Sequence, residues 1–196
     1  MSTKSVPVRQ EIPSEHTWDT ASIYATTDAW EAEFTRLGDE LPSLGRFRGC
    51  LGNTPATLAE WFEASEAYQR RLASLAVYAS MNQAVDANDQ AAAARNDRAR
   101  GLSARAGGAM AFAEPELLQI GVDKLRDWVR LEPRLALYEH YFDRLAKRAP
   151  HVRSAEVEEL LSQATDPFLT SAATHSILAN AELRFAPARE IGRAHV

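Results

Sequence analysis

The strongest constraint in this sequence is a set of apolar and small residues, Leu58, Trp61, Ser65, Tyr68, Leu72, Leu75 and Ala79, spaced by alternating steps of three and four. That alternation holds one stripe of a helix toward a partner over many turns. Just before it, Thr54 offers a capping oxygen and Pro55 takes the first helical position, where a missing N–H costs nothing. The spacing predicts a helix of about thirty residues, roughly 45 Å long. Asp86-Ala87-Asn88-Asp89 breaks the pattern, and an alanine-rich stretch over 88–112 follows, ending in Glu114-Pro115. The pair reads as a long antiparallel helical hairpin. Ala91, Ala94, Leu102, Ala106 and Ala109 are the small side chains expected at its seam, where they let the backbones approach.

The flanking segments are helical too. Asp28 and Glu31 have capping-box spacing, and Trp30, Phe34, Leu37 and Leu41 continue an amphipathic helix that stops around Pro42. Gly45, Gly49 and Gly52 mark a loop with Leu44, Phe47 and Leu51 turned inward. Past Pro115, short helices are expected over 117–120 and 123–131. A clearer one runs over 133–148, with Leu137, Tyr138, Tyr141, Phe142 and Leu145 as its core side, and Pro150 ends it. Ser154 caps a helix over 155–163 in which Glu156, Glu158 and Glu159 suit the positive end of the dipole. Asp166-Pro167 begins another through Ile177, and only 181–185, with Leu183 and Phe185 alternating with charges, reads as a short strand. The expected fold is all-α: a long hairpin plus a smaller helical lobe. The expected organisation is an extended arm over 1–17, the hairpin region over 18–115, the lobe over 116–187 and a tail over 188–196.

Composition narrows the function classes. Apolar residues make up 45% and charged residues 25% of the chain, which is globular usage. A net charge of -5 argues against nucleic acid as the main partner, since phosphate binding rests on a surplus of Lys and Arg. Cys50 is the only cysteine, so no internal disulfide can form and a reducing cytoplasmic setting is expected. No apolar stretch approaches the length of about 18 residues that a membrane span requires, and the first fifteen residues lack the pattern of a secretory signal.

The chain carries no complete catalytic site by motif. A zinc peptidase needs two histidines four apart on one helix with a glutamate after the first, which puts both imidazoles on one face. His16, His140, His151, His175 and His195 show no such spacing. His140 and Asp143, one turn apart, could orient each other, yet a single histidine on an aromatic helix is more often structural. Cys50 lies next to Gly49 without a nucleophile motif and reads as a small, partly buried thiol. Arg95, Arg98, Arg100 and Arg105 could meet a carboxylate or phosphate, and a solvated helix face explains them better. Trp30, Trp61, Trp128, Tyr138 and Tyr141 read as core rather than as a binding groove. No catalytic, cofactor-binding or metal-binding residue is therefore assigned.

Several segments, in order, resemble the N-terminal helical region of oligoendopeptidase F, in the thimet-oligopeptidase-like group of zinc metallopeptidases. They are Thr17-Trp18-Asp19 with Ile23-Tyr24; Tyr78-Ala79-Ser80-Met81 with Asp86; Phe112, Pro115-Glu116 and Leu117; the dense stretch Leu137-Tyr138-Glu139-His140-Tyr141-Phe142-Asp143; and His151 followed by Ser154-Ala155-Glu156-Val157-Glu158-Glu159-Leu160-Leu161. The resemblance implies a deep channel between helical walls, where zinc held by a His-Glu-x-x-His helix activates water to cut short peptides. It implies further that this chain stops before the catalytic helix, so it would wall the channel, bind no zinc itself and lack its C-terminal catalytic partner. Glu190-Ile191-Gly192-Arg193-Ala194-His195-Val196 matches the in-frame translation of a common sequencing adapter, so 191–196 is expected to be non-native. The alternative is a stand-alone helical protein-interaction module; an independent enzyme built on His140 or Cys50 ranks last.

Overall fold

The computed structural model describes residues 11–86, 88–148, 155–179 and 183. Its centre is the expected hairpin. Helix α2, Pro55–Val85, starts where Thr54 accepts the backbone N–H of Thr57 at 3.0 Å, with Pro55 in the first turn. Its 31 residues span about 46 Å. Leu58, Trp61, Ser65, Tyr68, Leu72, Leu75 and Ala79 are all buried, as their spacing requires. Helix α3, Gln90–Met110, is capped by Asp89, whose side chain accepts the N–H groups of Ala91 and Ala92. The helices run antiparallel: Asn96 donates to Gln83 near the link, and Gln69 reaches the Met110 sulfur at the far end.

The seam of α3 differs from the expectation in register. Ala92, Ala99, Leu102 and Ala106 are buried, whereas Ala91 and Ala94 face solvent or its margin and Ala109 packs only partly against the core. Steps of four, three and seven residues lead back from Ala106 through Leu102 and Ala99 to Ala92, and an alanine adjacent to any of these is rotated out of the stripe. Helix α1, Thr27–Glu40, packs along the middle of α2. Its cap is Thr26, which accepts the N–H of Ala29 at 3.1 Å, not the expected Asp28. Extended backbone at Thr26 aims the hydroxyl at the first turn, and Glu31 is drawn away by Arg98.

Buried polar bonds lock α1 to α2. The Trp30 indole donates to the Leu75 carbonyl at 2.9 Å, and the Tyr68 hydroxyl to that of Leu37 at 3.2 Å. Glu33 is nearly enclosed and takes Arg36 at 2.7 Å and Arg71 at 2.6 Å, while Arg71 also reaches Glu40. After α1, a 3-10 turn at Leu41–Phe47 buries Leu44 and Phe47, and Leu51 follows them inward. Gly49, at φ 76°, supplies a left-handed bend there.

Helices α4, Ala113–Ile120, and α5, Val122–Leu131, are divided by Gly121 at φ 88°. Pro115 does not end α3, as expected; α3 has already stopped at Met110 and the proline lies in the first turn of α4, where its missing donor is harmless. The expected helix over 133–148 divides into a 3-10 turn, Pro133–Tyr138, and helix α6, Glu139–Arg148. Three residues per turn align Leu135 with Tyr138 and leave Leu137 outside, 86% exposed, against the expectation that it joins the core. Phe142 and Leu145 are fully buried, and one core continues from α1 to α6.

Helix α7, Ala155–Ile177, packs on α3 and α4 and runs unbroken through Asp166-Pro167, where the sequence suggests two helices. A proline removes one donor and the flanking turns carry the helix past it. Closeness to α3 is set by Gly107, where an added Cβ would stand 2.7 Å from the Ser162 hydroxyl oxygen. The outer side of α7 is apolar and open: Leu160 is 65% and Phe168 77% exposed. No strand occurs among the described residues, so the all-α expectation holds there. Pro150, Ser154, Pro187, the tail over 188–196 and all of the expected strand except Leu183 lie outside the described residues, as does the arm over 1–10; Leu183 belongs to no regular element.

Candidate functional site

The chemistry-bearing residues noted in the sequence do not converge. His140 is exposed on α6, and its neighbour Asp143 is held by Arg126 at 2.7 Å, which pulls the carboxyl below its usual range. Cys50 is half-buried in a loop whose amides belong to another group: the Glu116 carboxylate on α4 accepts Gly49 N–H at 2.6 Å and Leu51 N–H at 3.4 Å. Arg98 grips Glu31 with two bonds of 2.8 and 2.7 Å and lies 4.3 Å over the Phe34 ring. Arg105, two turns on, shares that stripe. Arg100 is turned about 200° from Arg98, so the four arginines make no single patch. Arg95 buries its Nε with no hydrogen-bond partner among the described residues. Trp30, Trp61 and Trp128 are core.

What the fold does bring together is a cleft of about 690 Å3 where α2, the end of α3, α4, α6 and α7 meet. Phe62 on α2 stacks on Tyr138, centroids 3.9 Å apart, and Tyr141 stands edge-on to Phe62 at 5.9 Å. The Tyr138 hydroxyl donates to Glu66 at 2.7 Å. Burial, and then this bond to a carboxylate, push the Tyr138 phenol up to about 12; burial raises Tyr141 too, with Glu114 adding to it. Both phenols are therefore neutral donors at neutral pH and cannot act as bases. Glu114, on the α4 wall, is paired with Arg148. The arrangement can grip an apolar body and one polar group. The sequence pattern puts Tyr138 and Tyr141 in the core, and both are half-buried cleft walls instead.

Metal chemistry fails a fit test on these residues. No group of three or more His, Cys, Asp or Glu side chains stands in metal-holding range among the described residues. His16 is exposed beside Glu15, and His151 and His195 lie outside the described residues. Among the described residues the donors form no such group, and no chemical step is routed through a metal.

Comparison with known proteins gives the frame for this cleft. A family model described as Oligopeptidase F matches residues 116–185. Oligopeptidase PepF of Bacillus subtilis is 32% identical over 180 residues, covering 92% of this chain, and oligoendopeptidase F of Lactococcus lactis subsp. cremoris, encoded on a plasmid, is 32% identical over 177 residues. The crystal structure of oligoendopeptidase-F from Enterococcus faecium superposes with a TM-score of 0.76 at 28% identity over 82% of this chain. The chain is similar over nearly its whole length to the N-terminal part of oligopeptidase F proteins. A putative peptidase from Chlamydophila abortus shares the fold, with a TM-score of 0.67 at 23% identity. The chain spans 27% of the Bacillus relative, 30% of the Lactococcus relative and 32% of the Enterococcus structure. The similarity accordingly concerns about a third of each of these proteins, and the 180 residues aligned with the Bacillus relative include the hairpin and α4 to α6.

Proposed function

We propose that this chain is the N-terminal helical portion of a zinc-dependent oligoendopeptidase, that it walls a channel admitting short peptides, and that the zinc site lies in a catalytic portion beyond these residues. One observation carries the reading: near-complete alignment, over 92% of this chain, with a protein named as an oligopeptidase of which it accounts for only 27%. The open apolar side of α7 supports it, because a wall built to meet another body leaves such a surface. No helix among the described residues is long and apolar enough to cross a membrane, and the single cysteine agrees with a cytoplasmic setting.

Fusing residues 1–187 to the catalytic portion of the Bacillus subtilis relative tests the proposal. Chelator-sensitive cleavage of short peptides by the fusion is expected, with neither zinc retention nor cleavage by the unfused chain. A folded fusion that cuts nothing would favour the interaction-module alternative. Stoichiometric zinc and chelator-sensitive hydrolysis in the unfused chain would overturn the placement of the site outside it.

A further inference from the structure

The cleft has a chemical asymmetry that walling a channel does not require. Its volume of about 690 Å3 lies within the range of small-molecule sites. Rings of Trp61, Phe62, Tyr138 and Tyr141 and the Met110 thioether line it, and its acidic side chains are Glu66 and Glu114. Glu114 is satisfied by Arg148. Glu66 takes a single hydrogen bond, from Tyr138, and no salt bridge among the described residues. A carboxylate has about four lone-pair sites, so most of its accepting capacity is open toward the cleft. Arg134 is held by Glu63 and Glu132, and Arg70, close enough to act on Tyr138, is exposed and outside the lining.

We propose that this cleft binds an organic ammonium with an aromatic or branched apolar body, its charge on Glu66 and its body in the open space lined by Tyr138, Tyr141 and Met110. An ammonium makes a charge-assisted bond to the half-buried carboxylate and is attracted by the tyrosine faces. An anion of the same shape would meet two carboxylates, and a neutral alcohol would gain only an ordinary hydrogen bond. The proposal rests on the cleft's own side chains and stands whether or not the peptidase reading does.

The test is a titration of the full chain, by calorimetry or amide chemical shifts, with 2-phenylethylammonium, 2-phenylethanol and 3-phenylpropionate. The ammonium is expected to bind about tenfold tighter than the alcohol, a difference of about 1.4 kcal/mol, and the carboxylate weakest. Glu66→Gln keeps an acceptor for Tyr138 and should erase the preference for ammonium, while Glu66→Asp, with the charge restored, should recover part of it. Equal binding of ammonium and alcohol, an unchanged preference in Glu66→Gln, or no binding of any probe would overturn the proposal.

Discussion

Replacing Phe142 by Ala removes a ring that is fully buried, 5.9 Å from Phe62 and 5.8 Å from Tyr141 by centroids. Phe62 lies on α2 and Tyr141 on α6 itself, so no shift of a single element closes the space. A loss of about 3–5 kcal/mol follows, the upper part of the range for large-to-small changes in a core. For a chain of this size each kcal/mol moves the melting temperature by about 2–4 °C, giving a drop of roughly 6–20 °C. Leu137→Ala, five residues away and exposed, is the internal control and should stay within about 0.5 kcal/mol. Urea unfolding of both variants followed by helical circular dichroism measures the difference. A Phe142→Ala loss below about 1 kcal/mol, or an equal loss in Leu137→Ala, would refute the division of this segment into an inward Phe142 and an outward Leu137.

Gly101→Ala should stabilise the chain by about 0.5–1 kcal/mol, because the position is exposed inside α3 and an added Cβ meets nothing within 4 Å; destabilisation on melting would count against that packing. The Tyr138 pKa of about 12 lies above the unfolded value, so its contribution to stability is complete below pH 10 and fades as pH climbs toward 12. Phenolate absorbance should show a late-titrating tyrosine that Tyr138→Phe removes, and an unchanged titration in that variant would contradict it. The isolated chain should self-associate through α7, and replacing Leu160 and Phe168 by Gln should reduce it in sedimentation; a clean wild-type monomer at high concentration would remove the uncovered-face argument.

The hairpin is legible in the sequence because one long period of threes and fours can be buried in only one way, and Thr54-Pro55 and Asp86 to Asp89 mark its ends without tertiary help. Register on α3 is not, since alanines stand in consecutive positions and composition alone does not say which of Ala91 and Ala92 turns inward. Leu137 escapes the pattern because the tighter 3-10 winding of Pro133–Tyr138 rotates a side chain that an α-helix would have buried. The cleft itself leaves no local trace: Glu66 and Tyr138 are separated by 72 positions, and each alone looks like an ordinary helix residue. Much the same holds for Glu116, whose grip on the Gly49 and Leu51 amides is made across more than sixty residues.

The four-residue link between α2 and α3 also bears on the order of assembly. Closing so short a loop costs little chain entropy, and helix pairing of low sequence separation is fast. The hairpin should therefore zip first, from the Gln83–Asn96 contact toward Gln69 and Met110, before Glu116 can find Gly49 or Arg134 can find Glu63. On a ribosome, α2 and α3 would have paired while α6 and the Tyr138 side of the cleft were still being made, leaving Phe62 and Glu66 waiting at a preformed surface for their partners to arrive.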